Sequence, residues 1–183
     1  MIITKKDKDL LDRCIRTVPD FPKKGILFYD ITTLLLNPKS FKKAIDVMYN
    51  AARKLKFDKI AAVESRGFVF GSTLAYKFKK GFILVRKEGK LPSETISYSY
   101  GLEYGTSTVE IHKDAIKPGD KILVVDDLLA TGGTAKAIQS IVESLGGKTI
   151  GYLFLIELEG LKGREKLAEQ AHPISIISIL KYS

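Results

Sequence analysis

The 183-residue sequence predicts an α/β fold, a mainly parallel twisted sheet flanked by helices, and three observations carry that prediction. Short apolar runs at 59–63, 82–85, 121–125 and 149–158 are almost unbroken, as expected of strands covered by helices on both faces. Helical patterns at 69–79 and 134–145 fall between successive runs, the second closed by Gly146-Gly147, so they read as crossovers and the strands as parallel. A length of 183 residues with 45% hydrophobic content suits one core and needs neither disulfide nor structural metal. No repeat, low-complexity tract or linker interrupts the chain, so residues 1–183 are expected to form a single domain.

The remaining elements follow in order. Residues 7–18 have the spacing of an amphipathic helix ending before Pro19, with Leu10, Leu11, Cys14, Ile15 and Val18 on its apolar face. Cys14 is the only cysteine, which excludes an intrachain disulfide, suits a reducing compartment and, at that spacing, reads as a buried thiol. Asn37 and Pro38 form a helix start, and the stripe Phe41, Ala44, Ile45, Met48, Ala52 and Leu55 carries that helix to about residue 55. Residues 86–107 mix Gly, Pro, Ser, Tyr and charges without a sustained period; an irregular segment of that length reads as a lid over a site that must exclude water. Alternation at 174–180 predicts a final strand.

Composition narrows the function. The formal charge is +9, but the lysines lie in scattered pairs (Lys5-Lys6, Lys23-Lys24, Lys42-Lys43, Lys79-Lys80) and not in one stripe, so a nucleic-acid partner is not expected. The positive field favours a highly anionic small molecule instead. His112 and His172 lack metal-ligand spacing. The N-terminus is polar, and no run approaches the ~20 apolar residues of a membrane span, so a cytoplasmic protein without a membrane partner is expected.

The most informative stretch runs from Ile122 to Thr134. An apolar strand delivers Asp126 and Asp127 and passes through Ala130, Thr131, Gly132, Gly133 and Thr134 into a helix. That small-residue turn can close backbone N–H groups and hydroxyls around a phosphate at the positive end of the helix. It lacks the lysine of a Walker A loop. The two carboxylates can accept hydrogen bonds from vicinal ribose hydroxyls or hold hydrated Mg2+. Together they point to a phosphorylated sugar.

Four further blocks occur in order before this stretch: Phe21 to Thr32, Glu64 to Phe68, Arg86 to Pro92, and Leu102 to Gly105. With them the chain resembles the type I phosphoribosyltransferases, and over essentially its whole length their adenine-using branch. Lys24 and Glu88 stand where prolines are usual, and Tyr29 where arginine is common. The resemblance implies transfer of a phosphoribosyl group from phosphoribosyl diphosphate to adenine, giving AMP and diphosphate in purine salvage, with Mg2+ as cofactor, a homodimer, and a base-covering hood over about residues 1–35. It assigns the 5′-phosphate to Ala130, Thr131, Gly132, Gly133 and Thr134, and the ribose to Asp126 and Asp127. The diphosphate falls to Ser65, Arg66, Gly67, Lys87 and Lys90, and adenine to Leu27, Phe28 and Tyr29, with Mg2+ held mainly by substrate near Asp126 and Asp127. Glu103 and Tyr104 are its catalytic positions, Glu103 exchanging a proton with a purine ring nitrogen. It also implies a cis peptide between Ser65 and Arg66 that turns backbone N–H groups of Arg66 and Gly67 toward the diphosphate. Ala130 stands where hypoxanthine-guanine enzymes commonly carry an aspartate, which disfavours that one rival. The alternatives are another purine base, or a regulator that binds the sugar diphosphate without turnover.

Overall fold

A computed structural model describes residues 4–102, 105–169 and 174–183. Its order is α1 (Lys5–Asp12), β1 (Arg16–Val18), β2 (Phe28–Asp30), α2 (Thr32–Leu36), α3 (Pro38–Ala52), β3 (Lys59–Val63), α4 (Arg66–Phe78), β4 (Gly81–Lys87), β5 (Thr95–Leu102), β6 (Gly105–His112), β7 (Lys121–Leu129), α5 (Gly133–Ser144), β8 (Lys148–Leu158), α6 (Gly163–Ala168) and β9 (Ser175–Tyr182). The main sheet has seven strands in the order β5-β6-β4-β3-β7-β8-β9. The five from β4 to β9 are parallel, and β6 and β5 add antiparallel at one edge.

The unbroken apolar runs have the predicted cause. In β7, Leu123 and Val125 enter one core with α3, α4 and α1, while Ile122 and Val124 enter another with α5 and α6. Both faces of a central strand are therefore dry, and successive residues serve opposite layers. Helix α3 starts where Asn37 and Pro38 predict: Asn37 Oδ1 accepts from the backbone N–H of Lys39 at 2.9 Å and of Ser40 at 3.3 Å.

Two elements differ from expectation. Helix α1 ends at Asp12, and residues Arg16–Val18 form a strand paired with β2 in a separate two-stranded sheet. Non-local contacts override the helical spacing there: Arg16 pairs with Asp30, and the Thr33 hydroxyl donates to the Cys14 carbonyl at 2.7 Å. Cys14 is consequently only partly buried, with Leu11 fully buried and Leu10 40% exposed. The described part of residues 86–107 is largely strand and not irregular. Strand β4 runs on to Lys87, and β5 pairs with β6 in a long hairpin that continues the sheet. The alternation of Ile96, Tyr98 and Tyr100 with serines and glycine is a strand signal, masked by polar residues because the edge hairpin is largely solvated.

Candidate active site

Crossovers leave adjacent strands in opposite directions at one point. Strand β3 leads through α4 to β4 on one side, and β7 leads through α5 to β8 on the other. The crevice beyond the carboxyl ends of such a pair is where open α/β sheets bind ligands. A cavity of about 360 Å³ lies there, lined by residues that include Glu64, Ser65, Arg66, Lys87, Tyr100, Asp126, Asp127 and Thr134.

On the β7 side, Gly132 adopts φ +77° and precedes a helix whose first turn has no side-chain cap. The N–H groups of that turn are free to receive an anion. The loop must also lie close to α6. A Cβ on Gly163 would meet the Ala130 carbonyl oxygen at 2.1 Å, and one on Gly132 would meet the Gly163 oxygen at 2.9 Å. Two glycines, one distant in sequence, therefore permit this loop conformation. Gly67 does the same for the acids, since a Cβ there would lie 2.7 Å from Asp126 Oδ1.

Asp126 Oδ1 accepts the backbone N–H of Asp127 at 2.8 Å. Arg66 Nε lies 2.8 Å from Asp127 Oδ2, yet its N–H is not aimed at that oxygen, which is buried and accepts no hydrogen bond. Desolvation pushes both carboxyls above their ordinary range; the Asp127 charge pushes Asp126 further, whereas Arg66 restrains Asp127. A carboxylate oxygen that lacks a directed donor and lines a polar cavity is suited to a hydroxyl donor such as ribose supplies.

The guanidinium of Arg66 also lies over the Phe28 ring, 5.2 Å from its centroid, and Phe21 packs edge-on against Phe28 at 5.1 Å. The β1–β2 sheet thus brings an aromatic face to the rim of the cavity, with Leu27 47% exposed beside it. Tyr29 points elsewhere. It stacks on Tyr182 at 4.3 Å, and Tyr182 donates to Asp12 at 2.6 Å. The side chain that replaces the common arginine therefore packs β2 against β9.

The cis peptide falls one residue earlier than expected, between Glu64 and Ser65. Arg66 is already the first residue of α4 and Ser65 has helical φ and ψ, so the Ser65–Arg66 peptide belongs to the helix, where only a trans peptide fits. Ser65, Arg66 and Lys87 line the cavity; Gly67 abuts Asp126; Lys90 is exposed in the β4–β5 turn and is not among the lining residues. Glu103, Tyr104 and His172 lie outside the described residues. Among the described residues no group of three or more His, Cys, Asp or Glu side chains is arranged to hold a metal, and no helix is long and apolar enough to cross a membrane.

Tyr100 and Glu64 are site residues that sequence reasoning missed. The Tyr100 hydroxyl is 2.8 Å from Thr134 Oγ1, and its ring covers Gly133, where a Cβ would meet Cδ2 at 3.1 Å. The period-2 pattern at 95–100 was the available signal.

The phosphoribosyl transferase domain family matches residues 30–182. The chain is 51% identical over 173 residues to the adenine phosphoribosyltransferase of Lachnoclostridium phytofermentans, covering 94% of this chain and 97% of that one. The chain belongs to the adenine phosphoribosyltransferase family. It is an enzyme of pentosyl transfer with the fold of that family. The Pseudothermotoga lettingae adenine phosphoribosyltransferase is 57% identical over 159 residues, covering 87% and 94% of the two chains. The crystal structure of the Thermoanaerobacter pseudethanolicus adenine phosphoribosyltransferase superposes with a TM-score of 0.91 at 51% identity, covering 96% and 99%. That of the Saccharomyces cerevisiae enzyme, in complex with an imino-altritol bisphosphate and adenine, gives 0.87 at 39% identity, covering 97% and 100%.

Proposed function

We infer that this enzyme joins adenine to 5-phospho-α-D-ribose 1-diphosphate, giving AMP and diphosphate in purine salvage. The observation that carries the reading is the meeting, across one cavity, of the Asp126-Asp127 pair and the uncapped loop before α5 with Arg66 and Lys87 after β3 and on β4. In the reaction the bond from the ribose anomeric carbon to diphosphate breaks as a bond to an adenine ring nitrogen forms. Positive charge develops on the sugar between the two, as in glycoside cleavage.

Each group then has a task. Ala130, Thr131, Gly132, Gly133 and Thr134 bind the 5′-phosphate with backbone N–H groups and hydroxyls. Asp126 and Asp127 accept from the ribose hydroxyls, a role supported by the unengaged Asp127 Oδ2. Ser65, Arg66 and Gly67 with Lys87 and Lys90 receive the diphosphate, Lys90 from the exposed turn that carries it. Phe28 packs the adenine ring, while backbone groups near Leu27 and Tyr29 read its amino group. Glu103 holds or takes the proton of the attacking purine nitrogen, and Tyr104 closes over the site. Asp126 and Asp127 are the carboxylates beside which Mg2+ would sit, held mainly by substrate oxygens as that ion prefers, and it would supply charge stabilisation to the diphosphate. The whole chain acts as one domain with residues 1–35 as the hood, a reading supported by the separate β1–β2 sheet. We place the enzyme in the cytoplasm as a homodimer.

The test is nucleotide formation from phosphoribosyl diphosphate and magnesium with adenine, hypoxanthine, guanine or xanthine offered separately, and Asp127→Asn as control. AMP from adenine alone, lost in the variant, is the expected result. Product from another base would relocate the specificity, and no product from any base would overturn the reading.

A further inference from the structure

The diphosphate side of the cavity contains a carboxylate. Glu64, directly after β3, lines the cavity beside Arg66 and Lys87, where a negative charge opposes binding of a highly anionic group. Both of its oxygens are engaged. Oε1 accepts the backbone N–H of Lys87 at 3.0 Å, and Oε2 accepts Arg86 Nε at 2.7 Å. The β3–β4 ladder ends near Val63 and Val85, with the Glu64 N–H donating to the Val85 carbonyl at 2.9 Å; the Glu64 side chain carries the linkage two residues further. Arg86 also donates from Nη1 to the Lys90 carbonyl at 2.8 Å, and the N–H groups of Lys90 and Leu91 each donate to buried Glu110 at 2.9 Å. A continuous network thus ties the segment bearing Lys87 and Lys90 to β3 and β6.

The charge of Glu64 needs a partner. Its side chain is 16% exposed, so water screens it poorly. Desolvation works against ionisation, but the Lys87 N–H and the Arg86 guanidinium outweigh it and keep the carboxyl below its usual range. It is therefore anionic near neutral pH, and Arg86 is the cation hydrogen-bonded to it.

We propose that Glu64 is a positioning residue that fixes the Lys87 segment, and that Arg86 serves the diphosphate by masking the Glu64 charge and not by contacting the diphosphate. This rests on the reading that the diphosphate lies between Arg66 and Lys87. A bare carboxylate would repel the ligand, whereas a carboxylate neutralised by Arg86 anchors the strand end without repulsion.

Initial rates over a grid of both substrates separate the possibilities. Arg86→Gln unmasks Glu64 and is expected to raise KM for phosphoribosyl diphosphate about tenfold while KM for adenine changes less than about twofold. The double variant Glu64→Gln/Arg86→Gln keeps an acceptor for the Lys87 N–H but no charge, and is expected to recover about fivefold of that loss. A double variant no better than Arg86→Gln would show that Arg86 serves the diphosphate directly and would overturn the masking. The anchoring half has its own pair: Glu64→Ala is expected to raise the same KM several-fold and Glu64→Gln not to. Equal KM values for those two would overturn it. A wild-type enzyme that forms no nucleotide would overturn the functional reading and this inference with it, before any variant is compared.

Discussion

On one bank of the cavity, β7 and the loop into α5 present backbone N–H groups and two carboxylates backed by a dry core. On the other, β4, β5 and β6 present Lys87 and Tyr100 from the solvated antiparallel edge of the sheet. The β7 bank is made by local sequence: two acids and a turn of small residues within nine positions. The opposite bank is held by contacts between distant residues, Glu64 to Lys87 and Arg86, Glu110 to Lys90 and Leu91, and Tyr100 to Thr134. A rigid, preorganised bank suits the groups of the substrate that do not react, and a peripheral one suits the steps that require opening and closure.

Variants on the two banks should therefore fail differently. The largest effect is expected at Glu103: Glu103→Gln should lower turnover by more than ~100-fold with KM for phosphoribosyl diphosphate little changed. Near-normal turnover would remove the acid-base role. On the β7 bank, Gly163→Ala drives a methyl group into the Ala130 carbonyl, and overpacking of that kind costs ~1–3 kcal/mol. Here the loss should fall on KM for phosphoribosyl diphosphate, and an unchanged KM would show that the loop tolerates displacement.

Asp126 tests the same bank by pH. Its folded-state carboxyl is raised, so protonation favours the folded protein, and this contribution is lost as pH rises above its ordinary value of 3.8 through the elevated folded value. Asp126→Asn keeps an acceptor for the Asp127 N–H and removes the buried charge. Its melting temperature should exceed that of the wild type near neutral pH, and the gap should narrow as the pH is lowered toward about 4. A gap independent of pH would assign the effect to packing. The smallest effect is expected for Tyr100→Phe, which removes one hydrogen bond worth about 1 kcal/mol, a change of roughly fivefold in sugar-diphosphate affinity. A loss beyond a hundredfold would mean that the hydroxyl contacts the ligand itself.

Legibility in the sequence followed the same division. Strands β3, β7 and β8 were readable to within a few residues because each is largely buried on both faces and so must be mostly apolar. The phosphate loop was readable because its chemistry is contiguous. The β5–β6 hairpin was not, since an edge pair exposed to solvent satisfies its backbone by pairing and places few demands on side chains. The helical spacing runs past the end of α1 because Arg16, Thr17 and Val18 are committed by pairing with residues 28–30, a contact that no local period reports.

By itself, the sequence determined the α/β class, the acidic pair, the small-residue loop and the family, all properties of short segments whose residues meet water or core in a regular way. Only the tertiary structure decided that β3 and β7 lie side by side with oppositely directed crossovers, that Gly163 makes room for the Ala130 carbonyl, that Tyr29 faces Tyr182, and that Glu64 is paired with Arg86. Those facts depend on which distant segments pack together, and the free energy that settles it comes from buried contacts between segments, not from the propensities of any one of them.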